Sequence, residues 1–284
     1  MEIGILEYQK FHSVYSDTLE RICEDHKVYL YNNPKYAKKD SKKLDLLFVN
    51  TIKPLPWDII KWLGFKSKCK TILTIHEANT DLFFNRILLN KFDVINVLHQ
   101  NIKDYILENK LYNGKIFTLP FMLHEKVYPN INNMIVVPGR IEGFRRDYNV
   151  ILKIMRKDEH WCLLGKPVGT YGHCILEECA TLRKEGYNIE TFKTVVPNNI
   201  YENILMGCKM IYAPLKNPTV GLNKLCKEIY GKTKAVGSMF EAMKYGKTFM
   251  CTEDIKLDYK DYLLKDWKKY FEKEIVEGLV NEQL

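Results

Sequence analysis

Short apolar runs alternate with stretches of helical spacing in the first part of the chain. Strands covered by helices on both faces are apolar throughout, so the runs are typical of a parallel sheet. The predicted strands are Glu2–Glu7, Lys27–Tyr31, Leu44–Val49, Thr71–His76, Asp93–Leu98 and Ile116–Leu119. Helical spacing between them falls at His12–Cys23, Pro56–Leu63 and Asn101–Asn109. The alternation predicts a doubly wound α/β domain.

A polar connector rich in Asn and Pro follows Pro120, and a second series of strands and helices follows the connector. Its predicted strands are Met134–Val137, Trp161–Leu164, Tyr187–Glu190, Met210–Ala213 and a buried strand at Thr248–Cys251. Its predicted helices are Asp147–Met155, His173–Glu185, Ile200–Leu205 and Ser238–Tyr245. We therefore predict two Rossmann-like domains, residues 1–128 and 129–256.

Residues 257–284 carry apolar side chains at helical spacing, with lysines and acidic residues between them. The simpler interpretation is an amphipathic helix that packs back on the first domain. The alternative is docking on an anionic membrane, and the acidic residues of the segment count against it.

Composition narrows the class of protein. With 46% hydrophobic and 27% charged residues, the 284-residue chain is typical of a folded globular protein. It has no apolar run of the roughly 20 residues that span a bilayer and no signal-peptide pattern. We expect a cytoplasmic protein, with peripheral contact at the inner membrane face left open. The net charge of +8 favours anionic partners, such as nucleotide diphosphates, acidic lipids or nucleic acid.

The cysteines are scattered and most lie in apolar contexts, which is typical of reduced core residues. His173, Cys174 and Cys179 are the nearest approach to a metal-binding cluster, but no C-x-x-C pair completes a tetrahedral set. No Asp-x-Asp pair lies in a suitable turn either. We expect no metal and no bound cofactor.

A turn at Gly237 and Ser238 precedes a short predicted helix that Gly246 would end. The free N–H groups and the positive dipole end of this helix would face an anion above Gly237, and Lys234 adds charge on the approach. Neither G-K-T string of the chain has the glycine five positions earlier that a P-loop needs.

The strand at Met134–Val137 leads into Gly139 and Arg140, and Arg145 and Arg146 follow. Ligands of doubly wound sheets bind at the carboxyl ends of the strands, and a guanidinium group can bind two phosphate oxygens at once. The alternative is that these are surface arginines paired with the acidic residues Glu142 and Asp147.

Together these segments resemble the GT-B glycosyltransferases, two-Rossmann enzymes whose domains face each other across a cleft, and above all their large retaining family four. Arg140 matches the family arginine, Arg145 occupies the position of the family lysine, and Glu241 matches the second glutamate of the family's Glu, seven residues, Glu motif. Thr233 stands where the first glutamate is expected. Weaker matches follow in the family's order: Leu164–Gly165, Val195–Pro197 and Ile211–Pro214.

The resemblance implies a nucleotide-sugar donor bound in the second domain by Gly139, Lys234, Gly237, Ser238, Glu241 and Thr233, with Arg140 and Arg145 holding the diphosphate. It also implies that His76, at the end of a strand in the first domain, hydrogen-bonds the transferred sugar and that Glu77, on the acceptor side, holds its ring orientation. His12 and His99 lie at the same end of that predicted sheet and are candidates for the acceptor side. A histidine satisfied within the core is the alternative for each.

The resulting hypothesis is a metal-independent glycosyltransferase that moves a sugar from a nucleotide diphosphate to an acceptor that the sequence does not identify, with retention of configuration. Thr233 keeps a second hypothesis open, a nucleotide-binding homologue without activity. A nucleic-acid-modifying sugar transferase is a third. It is disfavoured because the chain has no interleaved aromatic and basic recognition module.

Overall fold

The chain forms two compact units in a computed structural model, which describes residues 1–7, 13–50, 52, 62, 64–65, 67–84, 86–120, 128–221, 226–252 and 264–280. The first unit comprises Met1–Leu123, Gly221–Ala235 and Asp258–Leu284, and the second comprises His124–Val220 and Val236–Leu257. Residues 221–235 thus lie in the first unit, whereas the sequence interpretation assigned all of 129–256 to the second domain.

The sheet of the first unit has six parallel strands. They are β1 (Glu2–Leu6), β2 (Lys27–Tyr31), β3 (Leu46–Val49), β4 (Lys70–Ile75), β5 (Val94–Val97) and β6 (Ile116–Thr118), in the order β2-β1-β3-β4-β5-β6. The direction of winding reverses between β1 and β3, and ligands of doubly wound sheets bind outside the carboxyl ends of strands at such a switch point.

The helices of the first unit cover both faces of this sheet. They are α1 (Ser13–Ile22), α2 (Pro34–Asp40), α3 (Ala78–Phe84) and α4 (Gln100–Glu108), with a short 3₁₀ helix at Leu89–Lys91. Alternate residues of β3 enter opposite clusters: Leu46 and Phe48 pack in one, Leu47 and Val49 in the other. The predicted helix at Pro56–Leu63 lies almost wholly outside the described residues.

Helix α2 occupies part of the lysine-rich run 35–43, for which no helix was predicted. The side chain of Asn33 accepts a hydrogen bond from the Lys35 N–H at 2.9 Å, and Pro34 fills the first turn. An asparagine cap followed by proline is a standard helix start, so the local sequence did encode this element.

The C-terminal residues complete one core of the first unit. Helix α9 (Leu264–Tyr270) continues into a wider, π-type helical segment at Phe271–Val280. Phe271, Ile275 and Leu279 from this segment are buried in the cluster that contains Ile3 and Phe48. The apolar stripe seen in the sequence therefore packs on the first unit. Among the described residues, no helix has the length and apolar character needed to cross a membrane.

The sheet of the second unit has five parallel strands. They are β7 (Met134–Pro138), β8 (His160–Leu164), β9 (Asn188–Thr191), β10 (Met210–Ala213) and β13 (Thr248–Cys251), in the order β13-β10-β7-β8-β9. This is the Rossmann order, with its switch point between β7 and β10. Two short strands intervene in the chain, β11 (Thr219–Val220) and β12 (Lys227–Glu228).

Four helices accompany this sheet: α5 (Tyr148–Ile154), α6 (Gly169–Lys184), α7 (Asn198–Gly207) and α8 (Gly237–Tyr245). Strand β13 differs from the prediction of a buried strand. It lies at the edge of the sheet, Thr248 and Met250 are exposed, and Phe249 and Cys251 are only partly buried. None of the eight cysteines, all within the described residues, forms a disulfide.

Gly165 allows the turns after β7 and β8 to touch. A Cβ atom at Gly165 would lie 1.9 Å from the carbonyl oxygen of Gly139, far inside van der Waals contact with a backbone atom. The glycine–proline segment Leu164–Pro167, which carried part of the sequence resemblance, is therefore a point of close backbone approach.

Gly165→Ala is expected to destabilise the second unit by about 3 kcal/mol or more, because the new methyl group overlaps backbone that has no space to move. Gly207→Ala is the matched control, since the nearest atoms to its added methyl lie at 3.7 Å. Urea unfolding curves of the two variants measure the difference. Equal stability of the two variants would contradict the close approach.

Candidate functional site

The turn after β7 is built around an arginine. Gly139 has a φ of 96°, a left-handed conformation that favours glycine. A Cβ atom at this position would lie 2.7 Å from a terminal guanidinium nitrogen of Arg146. Only glycine therefore satisfies both the backbone conformation and the space that the guanidinium group occupies.

Arg146 lies at the switch point of the second sheet. Its Nη1 donates to the carbonyl oxygen of Pro138, the last residue of β7. The backbone around Arg146 pairs with the segment after β10: the Asp147 N–H donates to the Pro214 carbonyl at 2.8 Å, and the Lys216 N–H donates to the Arg145 carbonyl at 2.9 Å. The sequence placed Arg146 only beside the predicted pair of Arg140 and Arg145.

Those two predicted arginines differ in their surroundings. The Arg140 side chain is exposed and makes no hydrogen bond or ion pair with any described residue, so it can reach a ligand anion. Arg145 instead forms an ion pair with Glu142, with its Nε 2.9 Å from Oε1. The surface-pair alternative thus describes Arg145. Asp147 caps α5 through the Asn149 N–H at 3.1 Å.

Helix α8 begins at Gly237, as a site for an anion requires. No side chain caps its first turn, and a Cβ atom at Gly237 would meet nothing within 4 Å. Gly237 is exposed at the start of this nine-residue helix, whereas the Ser238 side chain is buried. Gly246 ends the helix in the left-handed conformation, as the sequence predicts.

Glu241 lies one turn into α8 and is close to Arg146 and Tyr201. The Tyr201 hydroxyl donates to its Oε1 at 2.7 Å. Burial raises the pKa of the Glu241 carboxyl, and both the Tyr201 hydrogen bond and the positive charge of Arg146 oppose that rise. Burial, together with the charge of Glu241, raises the pKa of Tyr201 well above its ordinary value. The tyrosine therefore remains a hydrogen-bond donor at any physiological pH.

In the first unit, a polar network lies at the carboxyl ends of β1 and β3, the switch point of that sheet. The Ser16 hydroxyl donates to the Glu7 carboxylate at 2.9 Å, and the Asn50 amide donates to Ser16 at 2.8 Å. The backbone carbonyl of Asn50 lies 2.7 Å from Nε2 of His76, so Nε2 carries the proton. The sequence analysis identified His76 and did not identify the other members.

An aspartate with an enclosed carboxyl group, Asp81, shapes the turn that contains His76. One oxygen of Asp81 accepts the N–H groups of His76 and Glu77, at 2.7 and 3.0 Å. The residue as a whole is partly exposed, but its carboxyl group is enclosed. Burial raises the pKa of this carboxyl to about 8, the neighbouring Glu228 adds to the rise, and the His76 N–H opposes it.

Lys234 and Glu77 form a buried ion pair within the first unit. Their exposed fractions are 7% and 8%, and the ammonium donates directly to Oε1. Burial lowers the pKa of Lys234 to about 8, so the lysine remains protonated at neutral pH beside the carboxylate. Lys234 was expected to bind the donor and Glu77 to orient its sugar, but here each side chain is engaged by the other.

Thr233 is completely buried and bonds inside the same unit. Its hydroxyl donates to Oε2 of Glu228 at 2.6 Å, while Oε1 of that carboxylate accepts the N–H and the hydroxyl of Thr80, both at 2.7 Å. This differs from the expected donor contact, because no part of Thr233 is exposed to a ligand. Glu228 is also completely buried.

Of the two histidines predicted on the acceptor side, His12 and His99, the structure describes only His99. His99 is buried and caps α4: its Nδ1 accepts the Asn101 N–H at 3.1 Å. A protonated Nδ1 cannot accept a hydrogen bond, so this cap requires that Nδ1 of His99 carry no proton. His12 lies outside the described residues. Within the described ranges, no group of three or more His, Cys, Asp or Glu side chains is arranged to hold a metal ion.

No protein-family model and no curated protein matches this chain. Solved structures do resemble it. A glycosyltransferase involved in avilamycin A biosynthesis matches with a TM-score of 0.58 and 10% identity over 95% of this chain and 87% of that one. A glycosyltransferase from Rickettsia africae matches with a TM-score of 0.51 and 14% identity over 88% of this chain and 78% of that one.

This chain shares its fold with glycosyltransferases. The predicted fold class, α/β with two Rossmann-like parallel sheets of the GT-B type, is confirmed. At these identities the likeness shows the fold alone, so the roles of individual residues stay predictions.

Lys234→Met is expected to lower the free energy of unfolding at pH 7 by about 3–5 kcal/mol, because it leaves the Glu77 carboxylate buried without its cation. Lys244→Met is the matched control, since Lys244 pairs with Glu202 at 3.4 Å where both side chains are exposed, and should cost about 1 kcal/mol or less. Urea unfolding measures both. A small effect at Lys234 would mean that the pair is not formed.

Asp81→Asn is expected to flatten the dependence of stability on pH. The carboxyl ionises near its ordinary 3.8 in the unfolded chain and near 8 in the folded one, so stability is lost as pH rises through that window. Asparagine keeps an acceptor for the two N–H groups and cannot ionise. Thermal unfolding from pH 5 to 8 tests this. Asp104→Asn is the control, because Asp104 is an exposed residue of α4. A slope unchanged by Asp81→Asn would refute the shift.

Proposed function

We propose that this protein is a nucleotide-sugar-dependent glycosyltransferase whose second unit binds the diphosphate of the donor. The observation that carries the proposal is the glycine turn at the β7–β10 switch point, with Arg146 packed against Gly139 and Arg140 exposed beside it. The fold shared with glycosyltransferases supports the same reaction class.

Arg140, Arg146 and the start of α8 are positive, and the reaction places negative charge on the leaving diphosphate. When the bond between the anomeric carbon and the donor phosphate breaks, negative charge builds up on the departing diphosphate. Arg140 and Arg146 can offset that charge, and the positive dipole end of α8, which begins at the exposed Gly237, adds to their effect. In this proposal Arg146 takes the part that the sequence comparison gave to Arg145, because Arg145 is paired with Glu142.

Glu241 would accept hydrogen bonds from the ribose of the nucleotide. It belongs to the same helix as the Gly237 turn and is near Arg146. The acceptor would bind on the first unit, where His76 and the network of Glu7, Ser16 and Asn50 lie at the carboxyl ends of the strands. We further propose transfer with retention and without a metal ion, as the family resemblance implies.

A second candidate is a homologue that binds a nucleotide diphosphate but transfers no sugar. The burial of Thr233 and Glu228 favours it, because neither residue can supply the carboxylate that the resembled family directs at the sugar. The two candidates share the diphosphate site and differ in turnover. Release of sugar from UDP-, GDP-, ADP- or dTDP-sugars, as hydrolysis or transfer, separates them.

Arg140→Ala should cut turnover of the best donor by about 100-fold or more, since one positioned donor to the developing charge is worth that much. Arg156→Ala is the control: Arg156 is also an exposed arginine of the second unit, paired with Glu159 at 3.1 Å. Steady-state kinetics measure both variants. Unchanged turnover in Arg140→Ala would remove Arg140 from the site, and nucleotide binding without any turnover in the unmodified protein would favour the inactive homologue.

A further inference from the structure

Tyr201 lies on α7 and reaches across to α8, where its hydroxyl hydrogen-bonds Glu241. The sequence comparison assigned no role to this residue. The tyrosine is partly buried against the cluster that contains Val136, Leu164 and Ile211 from the second sheet. A ring held by this packing presents its hydroxyl from a fixed position.

The hydrogen bond from Tyr201 makes the two carboxylate oxygens of Glu241 different from each other. Oε1 of Glu241 accepts from Tyr201 at 2.7 Å, whereas Oε2 accepts no hydrogen bond from any described residue. Since a carboxylate oxygen that is already occupied fixes the orientation of the whole group, Oε2 is left to accept from a ligand hydroxyl.

The charged groups around Glu241 come from three elements. Arg146 approaches from the turn after β7, Lys244 lies one turn further along α8, and Tyr201 comes from α7. Tyr245 on α8 adds to the electrostatic environment of Tyr201, and Glu202 lies close to both Lys244 and Tyr245. The two cations and the tyrosine hydroxyl favour the carboxylate form of Glu241, and burial opposes it.

We propose that Tyr201 is the positioning residue that aims Glu241 at a ribose hydroxyl, so that this pair makes the site select ribonucleotides over 2′-deoxyribonucleotides. This inference rests on the proposed function, because it concerns the nucleotide part of the same donor site. A ribose hydroxyl suits this position, since Oε2 of a carboxylate accepts from a hydroxyl group and the neighbouring Arg146 suits an attached phosphate.

The test compares binding of ribose and 2′-deoxyribose nucleoside diphosphates by isothermal titration calorimetry. UDP, GDP and ADP are measured against dUDP, dGDP and dADP, and the base with the tightest binding is then used throughout. The unmodified protein is expected to prefer the ribose form by about 10-fold or more, the usual contribution of a hydrogen bond to a charged group. Tyr201→Phe is expected to reduce this preference to about 2-fold or less.

The acid dependence gives a readout that simple loss of packing would not change. Because the Tyr201 hydrogen bond opposes the raised pKa of Glu241, its removal should move the loss of ribonucleotide affinity toward higher pH. Tyr187→Phe is the matched control, since Tyr187 lies directly before β9 in the same unit and its hydroxyl makes no hydrogen bond to a described residue. It should leave both the preference and the pH dependence unchanged.

Glu241→Gln provides an independent variant in case Tyr201→Phe unfolds, which circular dichroism would reveal. It keeps the side-chain shape and should lose the ribose preference, and the double variant should lose nothing more than Glu241→Gln alone. Equal binding of ribose and deoxyribose forms by the unmodified protein, or an unchanged preference in Tyr201→Phe, overturns the positioning role while the diphosphate site stands. Absence of binding to all six diphosphates overturns this inference, and absence of binding to dTDP as well overturns the proposed function with it.

Discussion

The carbonyl oxygen of Gly139 occupies the space where a side chain at residue 165 would begin, and a guanidinium group occupies the space where a side chain at residue 139 would begin. The turns after two adjacent strands of the second sheet can touch because residue 165 carries no Cβ atom, and the guanidinium group fits because residue 139 carries none. The arginine that fills the gap then donates to the end of β7. Backbone proximity and positive charge thus arise from the same pair of glycines, and the candidate diphosphate site depends on them.

The segment just before the start of α8 follows a different constraint. Lys234 and Gly237 are three positions apart in the chain, but Lys234 belongs to the first unit and Gly237 to the second. Buried polar groups are stable only when they have partners, and Glu77 and Thr80 supply partners for Lys234 and Glu228. Proximity in sequence to the turn at Gly237 is therefore a poor guide to which unit a charged residue belongs to.

Most strands could be predicted from the sequence because apolar runs buried on both faces leave a clear pattern, as in β3 and β7. Short helices with weak periodicity were missed: α2 and α3 have seven residues each, and only the cap at Asn33 identifies the first. The burial of β13 was overestimated because apolar content alone does not show that a strand is at the edge of a sheet.

The site was predictable to the level of segments and not of side chains. The Gly139–Arg140 turn and the start of α8 follow from strand ends and glycine positions, which the sequence states directly. The choice between Arg145 and Arg146 depends on which way a loop residue points, and Glu142 decides it through an ion pair that spacing does not reveal. Tyr201 could have been found only by knowing that α7 and α8 are neighbours in space.

The first unit draws its residues from three separate stretches of chain, and the second unit lies largely between them in sequence. Phe271, Ile275 and Leu279 close the same core as Ile3 and Phe48. On the ribosome, therefore, α1 covers only part of this face of the first sheet until residues 271–279 have been synthesised. The second unit, whose last strand ends at Cys251, can fold before that cover is complete.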